Sequence, residues 1–178
     1  MAFFTERELR AYAARPRHTS FSNIKEARAS AKATIFLSHS HKDKELVIGL
    51  IRYLDTVGVS VYVDWNDTEM PRITNRTTAD KIKTQIENNA LFMVFATKHA
   101  LASKWVPWEI GVADQKKGAD RVIIIPVQDD SGQFSGSEYL QLYQRVSSND
   151  AGDYGVFAPN KSEGLLLESV MNKYASTM

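Results

Sequence analysis

Four short runs of apolar and largely β-branched residues constrain the fold of this chain most strongly. They lie at residues 33–38 (ATIFLS), 59–64 (VSVYVD), 90–97 (ALFMVFAT) and 121–127 (RVIIIPV), and polar residues bound each of them. Because the runs are nearly continuous rather than alternating, each predicted strand should be buried on both faces. Parallel strands that are covered by helices on both sides have this pattern.

Amphipathic segments separate the four runs and predict helices. One helix is predicted after the first run, ended by Gly58, and a shorter one before the third run. The two apolar stripes consist of Val47, Leu50, Ile51 and Leu54, and of Ala79, Ile82 and Ile86. A third helix is predicted at residues 107–117. Strands that alternate with helices predict a doubly wound α/β fold with an open parallel sheet of about five strands.

The C-terminal part of the chain has a less regular pattern. Residues 143–146 and 155–158 compete for the fifth strand, and residues 128–138 form a polar loop that contains glycine and serine. We expect the chain to end in a helix that Ser162 caps, because the apolar residues after it form one stripe. That stripe consists of Leu166, Leu167, Val170, Met171 and Tyr174.

The first 32 residues differ from the rest of the chain in charge. They carry a net charge of +4, whereas the remaining residues carry a net charge of −3. Thr5 and Glu8 have the spacing of a capping box, with Phe4 and Leu9 as its flanking hydrophobic pair, so we predict a helix to about Ala14. A second helix is predicted at residues 23–33. The sequence therefore predicts a basic helical N-terminal extension at residues 1–32 and a main domain at residues 33–178.

The composition excludes several classes of protein. The chain has 22 basic and 21 acidic residues, so it lacks the positive field that nucleic-acid binding requires. It contains no cysteine, which excludes disulfides, zinc fingers and thiol nucleophiles and is compatible with a reducing cytoplasm. The longest apolar run, at residues 90–96, is too short to span a membrane. We expect a cytoplasmic protein without nucleic-acid or membrane partners.

Ligands of open parallel sheets bind beyond the carboxyl ends of the strands, at the point where the strand order reverses. These ends carry residues 38–40 (SHS), 64–67 (DWND) and 97–99 (TKH). No glycine-rich phosphate loop follows the first strand, which excludes dinucleotide-binding and P-loop folds. The acids of a phosphate-accepting receiver domain are also absent.

His39, His41 and Asp43 have a spacing that is compatible with metal ligation, but a site needs three or four converging ligands. We expect no metal here. His39 is more consistent with a residue that lines the site, while residues 41–43 begin the following helix, where an acid suits the helix dipole.

Residues 103–109 (SKWVPWE) place two indoles within four residues of the carboxylate of Glu109. An acid beside large aromatic side chains is partly desolvated, which makes it a candidate for chemistry. An equally good interpretation is a tryptophan-rich helix start that fills the core while Glu109 faces water or the positive end of the helix. The position of Glu109 in the fold distinguishes these two interpretations.

Three motifs in this order resemble those of Toll/interleukin-receptor (TIR) domains. Residues 35–43 (IFLSHSHKD) resemble the first box of that family, and residues 61–64 with the polar loop at 65–77 resemble its second strand and the loop after it. Trp105 and Glu109 match the Trp-x-x-x-Glu pattern of the family. The resemblance covers about residues 33–127 and implies a flavodoxin-like sheet.

The resemblance also implies an activity. Many TIR domains, bacterial ones especially, cleave the bond between nicotinamide and ribose in NAD, and the glutamate of the motif is their catalytic residue, which implies Glu109 here. A carboxylate stabilises the positive charge that develops on the ribose. NAD is then a substrate, and no cofactor is expected. The residues that the resemblance places around the substrate are Phe36, Ser38, His39, Asp64, Trp65, Ser103 and Trp105.

Two functions are open at this point. The first is an NAD-cleaving enzyme that is activated when TIR domains stack, and the second is a non-enzymatic module that binds other TIR domains through the loop after the second strand. The presence of both Trp105 and Glu109 favours the enzyme. A nearly bare TIR domain resembles standalone members of bacterial antiviral systems, which make a messenger for a separate effector protein. The product, whether ADP-ribose, a cyclic isomer or a conjugate, is left open.

Overall fold

The structure is a computed structural model that describes residues 2–15, 34–57, 60–62 and 75–175. Within these residues, eight strands form one sheet. The strands are β1 (Phe4–Thr5), β2 (Thr34–Ser38), β3 (Ser60–Tyr62), β4 (Leu91–Ala96), β5 (Val122–Gln128), β6 (Gln144–Ser148), β7 (Tyr154–Phe157) and β8 (Gly164–Leu166). The helices are α1 (Glu6–Ala13), α2 (Lys44–Thr56), α3 (Arg76–Asn88), α4 (Lys98–Leu101), α5 (Trp105–Lys117) and α6 (Leu167–Ala175).

Five parallel strands form the centre of the sheet in the order β3-β2-β4-β5-β6. The four strands predicted from the apolar runs are all present, and β2, β4 and most of β5 are buried, as the continuous apolar pattern predicted. The chain runs from β2 outward to β3 and then crosses back to β4 on the other side of β2. This reversal of strand order is the defining feature of a doubly wound, flavodoxin-like sheet, so the predicted fold class is confirmed.

Helices cover both faces of the sheet and divide the core into two clusters. One cluster packs the apolar sides of α1, α2 and α6 on the sheet, with Leu9, Leu50 and Met171 among its buried residues. The other packs α3, α4 and α5 on the opposite face, where Ile86 and Ile110 are buried. In the part of the chain that the structure describes, no helix is long and apolar enough to cross a membrane. The predicted helix end at Gly58 lies outside the described residues.

The C-terminal part differs from the sequence-based expectation. The two segments that were expected to compete for one strand both form strands, because β6 and β7 are joined by a tight turn and pair as an antiparallel hairpin. Gly152 supplies a φ of 89° in that turn, a conformation that favours glycine. The hairpin continues into β8, which pairs with β7.

The closing helix forms, but its predicted start was wrong. It begins at Leu167 rather than after Ser162, because residues 164–166 are extended and pair with β7. Leu166 therefore leaves the predicted stripe and is 50% exposed, whereas Leu167, Val170 and Met171 are buried.

The described N-terminal residues 2–15 pack against the main domain. β1 pairs in parallel with β5, and Phe4 is buried against the ring of Tyr154, with a centroid distance of 3.7 Å. The Thr5 hydroxyl accepts a hydrogen bond from the Glu8 amide at 3.1 Å, which confirms the predicted helix cap. The Glu8 carboxylate instead accepts a hydrogen bond from the Tyr154 hydroxyl. These contacts tie α1 to the far end of the chain.

Helices α1 and α2 approach each other unusually closely at Gly49. A Cβ atom at this position would lie 2.0 Å from the backbone oxygen of Leu9, so only glycine fits the observed arrangement.

The helix predicted at residues 23–33 lies outside the described residues. The domain boundary after residue 32 therefore stays a prediction.

Candidate active site

The candidate site lies where β2 and β4 diverge at their carboxyl ends, which is the ligand-binding position of doubly wound sheets. Ser38 is the last residue of β2 and lies opposite Val94 in the neighbouring strand. Thr97 directly follows β4 and caps α4 by accepting a hydrogen bond from the amide of Ala100. Side chains that extend from these two strand ends share one edge of the sheet.

Glu109 of α5 reaches this edge. The Ser38 hydroxyl donates a hydrogen bond of 2.5 Å to Oε2 of Glu109, and the two side chains are 1% and 8% exposed. The carboxylate therefore neither faces water nor serves only the helix start. It is buried at the ligand-binding edge, where an oriented negative charge can stabilise a developing positive charge. The structure thus contradicts the interpretation in which Glu109 faces water, and the catalytic role of Glu109 stays a prediction.

The start of α5 explains how Glu109 is positioned. Trp105 is the first residue of the helix and Pro107 the third, so the missing N–H of proline falls in the first turn, where it costs no intrahelical hydrogen bond. The hydroxyl of Ser103 accepts a hydrogen bond from the Trp105 amide at 3.2 Å. The structure gives Ser103 this role at the helix start, and its contact with substrate stays a prediction.

Two tryptophans precede Glu109 in the first turn of α5. Trp105 and Trp108 meet edge to face with a centroid distance of 5.2 Å, and both are partly buried against the core beneath α5. Trp105 lies one helical turn before Glu109 and therefore shares its side of the helix. Trp108, which the sequence analysis did not assign to the substrate, lies with its ring 6.0 Å from the Lys83 ammonium of α3.

The first strand contributes Phe36 and His39. Phe36 is 1% exposed and stacks on Phe92 with a centroid distance of 5.6 Å, so the structure gives it a packing role at the base of the site. His39 lies partly exposed just beyond β2, and its Nδ1 is 2.9 Å from the carbonyl oxygen of Leu37, which fixes the ring orientation. Their contacts with substrate stay predictions. Asp64 and Trp65 lie outside the described residues.

A second buried carboxylate, that of Asp43, lies at the same edge. Residues 41–43 form a short helical turn that leads into α2, as predicted, but the Asp43 side chain makes no capping hydrogen bond there. It instead accepts a hydrogen bond of 2.5 Å from the Thr97 hydroxyl and lies 2.7 Å from Nδ1 of His99. Asp43 is 2% exposed, so this contact joins the segments after β2 and β4 inside the protein.

The contacts among Asp43, Thr97 and His99, which we call the Asp43 network, are difficult to predict from the sequence. Thr97 and His99 were recognised as residues at a strand end, but their partner lies 54 and 56 residues earlier in the chain. Within the described residues, no group of three His, Asp or Glu side chains could hold a metal ion. His39, His41 and Asp43 therefore do not form such a group.

The loop after β5 lies at the same carboxyl edge of the sheet, which we call the rim of the site. Hydrogen bonds from the Ser131 hydroxyl and the Gln133 amide, together with the charge of Lys98, lower the pKa of Asp129. The N-terminal segment holds the same loop, because Arg10 forms an ion pair with Asp130 at 3.2 Å. The described part of the N-terminal segment therefore supports the rim from the side of β5.

The fold and the site define an open, doubly wound α/β domain with a buried glutamate at its switch point. The TIR domain family matches residues 35–154 of this chain. A protein of Bacillus cereus strain MSX-D12, named "Probable 3' cyclic ADP-D-ribose synthase ThsB'", is 32% identical over 146 residues, which are 79% of this chain and 70% of that protein. The chain belongs to the TIR domain family, as the three sequence motifs predicted.

A second relative matches a smaller part of the chain. The "Putative cyclic ADP-D-ribose synthase TIR2" of Cytobacillus dafuensis is 28% identical over 79 residues. That match covers 43% of this chain and 21% of the other protein. Both relatives carry names that describe synthesis of cyclic ADP-D-ribose.

Proposed function

We propose that this TIR domain cleaves the bond between nicotinamide and ribose in NAD and converts the remainder to ADP-ribose or a cyclic isomer of it. The observation that carries the proposal is the buried hydrogen bond between Ser38 and Glu109 at the switch point of the sheet. The names of the two relatives support the same substrate class and favour a cyclic product.

The chemistry of the reaction explains why a buried carboxylate is needed. When the bond between ribose C1′ and the nicotinamide nitrogen breaks, its electron pair leaves with nicotinamide and positive charge develops on the ribose. A carboxylate that is already oriented stabilises this charge without reorganising, and it does so best where water is excluded. Glu109 is 8% exposed and held by Ser38, so it meets both conditions. It also accepts hydrogen bonds from ribose hydroxyls, which orients the sugar.

The aromatic side chains beside Glu109 complete the proposed pocket. Trp105 shares the side of α5 that carries Glu109 and supplies an apolar wall for a planar ring. His39, whose ring is oriented by the Leu37 carbonyl, directly follows Ser38 at the end of β2. The pocket thus has a charged centre and aromatic sides, which suits a substrate that combines a cationic ring with a sugar.

The proposal extends to the setting of the enzyme. We propose that the protein acts in the cytoplasm, that its TIR domains self-associate, and that the product is a signal for a separate effector in antiviral defence. The resemblance of the three sequence motifs to TIR domains of bacterial antiviral systems supports this part. Light scattering of the purified protein with and without NAD tests self-association, and a single monomeric species at all concentrations would contradict it.

The test of the activity compares wild-type protein with Glu109→Gln. NAD is incubated with concentrated protein, and nicotinamide and all ADP-ribose species are separated by chromatography and identified by mass. We expect Glu109→Gln to lose at least about 100-fold in nicotinamide release, because glutamine keeps the shape of the side chain but removes the charge. The cyclic or linear form of the co-product identifies the enzyme as a cyclase or a hydrolase.

Glu168→Gln serves as the matched control, since Glu168 is exposed on α6. This variant should release nicotinamide at the wild-type rate, and both variants should unfold at the wild-type temperature. An unchanged rate in folded Glu109→Gln would refute the assignment. A wild-type protein that releases no nicotinamide, even when forced to assemble by crowding agents, would favour a non-enzymatic interaction module.

A further inference from the structure

The Asp43 network contains a histidine in an arrangement that suits proton transfer. Nδ1 of His99 lies 2.7 Å from Oδ1 of Asp43, and the other oxygen of Asp43 accepts a hydrogen bond from the Thr97 hydroxyl. The carboxylate is 2% exposed, whereas the histidine side chain is 54% exposed. A buried anchor therefore holds a ring that is accessible from the rim of the site.

The contact with Asp43 determines which ring nitrogen is available. A carboxylate accepts hydrogen bonds, so the proton of a neutral His99 ring lies on Nδ1 and the lone pair on Nε2. Nε2 is on the side of the ring away from Asp43, and half of the side chain is exposed. His99 therefore offers a proton acceptor whose tautomer and orientation are fixed by Asp43 and Thr97.

The network is attached to the same two strand ends as the Glu109 site. Ser38 lies opposite Val94, and Thr97 follows three residues later, which is about 10 Å further along the strand direction. Asp43 follows Ser38 by five residues and bonds Thr97 across the gap between the strands. The Asp43–Thr97–His99 contacts and the Ser38–Glu109 contact therefore lie at the carboxyl ends of the same two neighbouring strands.

Capture of the ribosyl cation is the step that needs such an acceptor. The attacking group is an oxygen that carries a proton, either of water or of a hydroxyl of the same ADP-ribose. When its oxygen bonds to C1′, the O–H bond breaks and the proton must go to a base. Glu109 stabilises the cation up to this step, and the proton is released only as the new bond forms. A second acceptor near the edge takes that proton and leaves Glu109 charged for the next cleavage.

We propose that His99, oriented by Asp43 and Thr97, accepts the proton of the hydroxyl group that captures the ribosyl cation. The proposal rests on the proposed NAD-cleaving function. In this step the new bond joins oxygen to C1′, the proton moves to Nε2 of His99, and nicotinamide has already left with the electron pair of the broken bond. His99 thus acts on product formation, while Glu109 acts on bond cleavage.

The variant that tests this role is His99→Asn. An asparagine amide can still donate a hydrogen bond to Asp43 in place of Nδ1, but it has no basic nitrogen. Without the base, capture by the hydroxyl is slower, whereas cleavage and its reversal by nicotinamide are unchanged, so isotope-labelled nicotinamide continues to exchange into NAD. We expect net formation of ADP-ribose species to fall about 100-fold, while the exchange rate stays within about twofold of wild type.

His41→Asn is the matched control, because His41 is an exposed histidine on the neighbouring turn. It should leave both rates at the wild-type level. A second variant, His99→Ala, opens space for added imidazole, which should restore part of net product formation without changing exchange. Added imidazole can restore net product formation only if the variant lacks a base. It would not restore product formation if the substitution had merely displaced the loop.

The outcomes separate the two proposals. Equal losses of exchange and net product in folded His99→Asn, or full activity of that variant, overturn the role of His99 and leave the NAD-cleaving function intact. Wild-type protein that shows neither nicotinamide release nor exchange overturns the proposed function and the role of His99 with it. A selective loss of net product together with imidazole rescue supports the role of His99.

Discussion

The close contact between α1 and α2 makes a strong prediction about Gly49. In Gly49→Ala, the added Cβ would lie 2.0 Å from the backbone oxygen of Leu9, and 3.1 Å from its Cα. Backbone atoms cannot rotate away as a side chain can, so α1 must move. A shift of about 1.4 Å is needed to reach ordinary van der Waals contact, and a shift of that size disrupts a packed interface.

The size of the expected loss of stability follows from the side chains that β1 and α1 bury. Leu9 and Phe4 are 0% and 1% exposed, and each side chain contributes about 1.5–3 kcal/mol when fully buried. If α1 and β1 detach completely, the loss is therefore about 3–6 kcal/mol. Alanine recovers about 1 kcal/mol because it is a better helix former than glycine. The expected net decrease in the free energy of unfolding is about 2–5 kcal/mol.

The assay is urea or thermal unfolding followed by circular dichroism. For a chain of this size, the expected decrease corresponds to a midpoint that is lower by about 4–20 °C. Gly111→Ala is the matched control, since Gly111 lies inside α5 and a Cβ there would meet nothing within 4 Å. This control should become more stable by about 0.5–1 kcal/mol. A Gly49→Ala protein as stable as wild type would refute the packing argument, as would an equal loss in Gly111→Ala.

Two further predictions follow from contacts in the core and at the site. Ser38→Ala removes the hydroxyl that holds Glu109, so we expect kcat/KM for nicotinamide release to fall about 10- to 100-fold, less than in Glu109→Gln. The control Ser169→Ala, on the exposed side of α6, should have no effect. A fully active Ser38→Ala would show that Glu109 does not need this hydrogen bond. Burial and the charge of Arg121 lower the pKa of Lys117 to about 8. Between about pH 8 and 10.5 the unfolded chain binds a proton that the folded protein does not, so the stability of wild type should rise with pH relative to Lys117→Met, and parallel stability curves would contradict this.

The described part of the N-terminal segment contributes to the core, so deletion of residues 1–32 does not test the basic charges alone. Phe4 pairs with Tyr154 and Leu9 packs against Gly49, so deletion of residues 1–32 removes part of the core along with the basic segment. Loss of activity after such a deletion would report unfolding as well as any effect of the lost basic charges. Substitution of exposed residues such as Arg10, whose ion pairs with Glu6, Glu45 and Asp130 lie at the surface, separates the two.

The sequence alone predicted the parallel sheet and most of its helices, and it did so for a local reason. Strand runs and helical stripes are properties of a few consecutive residues, because burial on both faces or on one face repeats with the period of the element. The Thr5 cap was predicted for the same reason, since its hydrogen bond spans three residues. The family was also predicted from local motifs, with Trp105 and Glu109 at their fixed spacing.

The errors and omissions arose where distant segments meet. Residues 143–146 and 155–158 were treated as competitors because no local pattern reveals that a turn at Gly152 lets both join the sheet. Asp43 was assigned to its own helix because an acid there satisfies the helix dipole equally well. Its actual partners, Thr97 and His99, become neighbours only when β2 and β4 pair.

The sequence by itself determined the four central strands, most of the helices that follow them, and the presence of a glutamate beside two tryptophans. The tertiary structure alone decided what that glutamate faces, because the hydrogen bond between Ser38 and Glu109 spans 71 residues and exists only when α5 packs against the end of β2. It also decided that Gly49 must be a glycine and that His99 has a buried carboxylate partner. These features depend on the close packing of segments that are far apart in the chain, and no local periodicity encodes that packing.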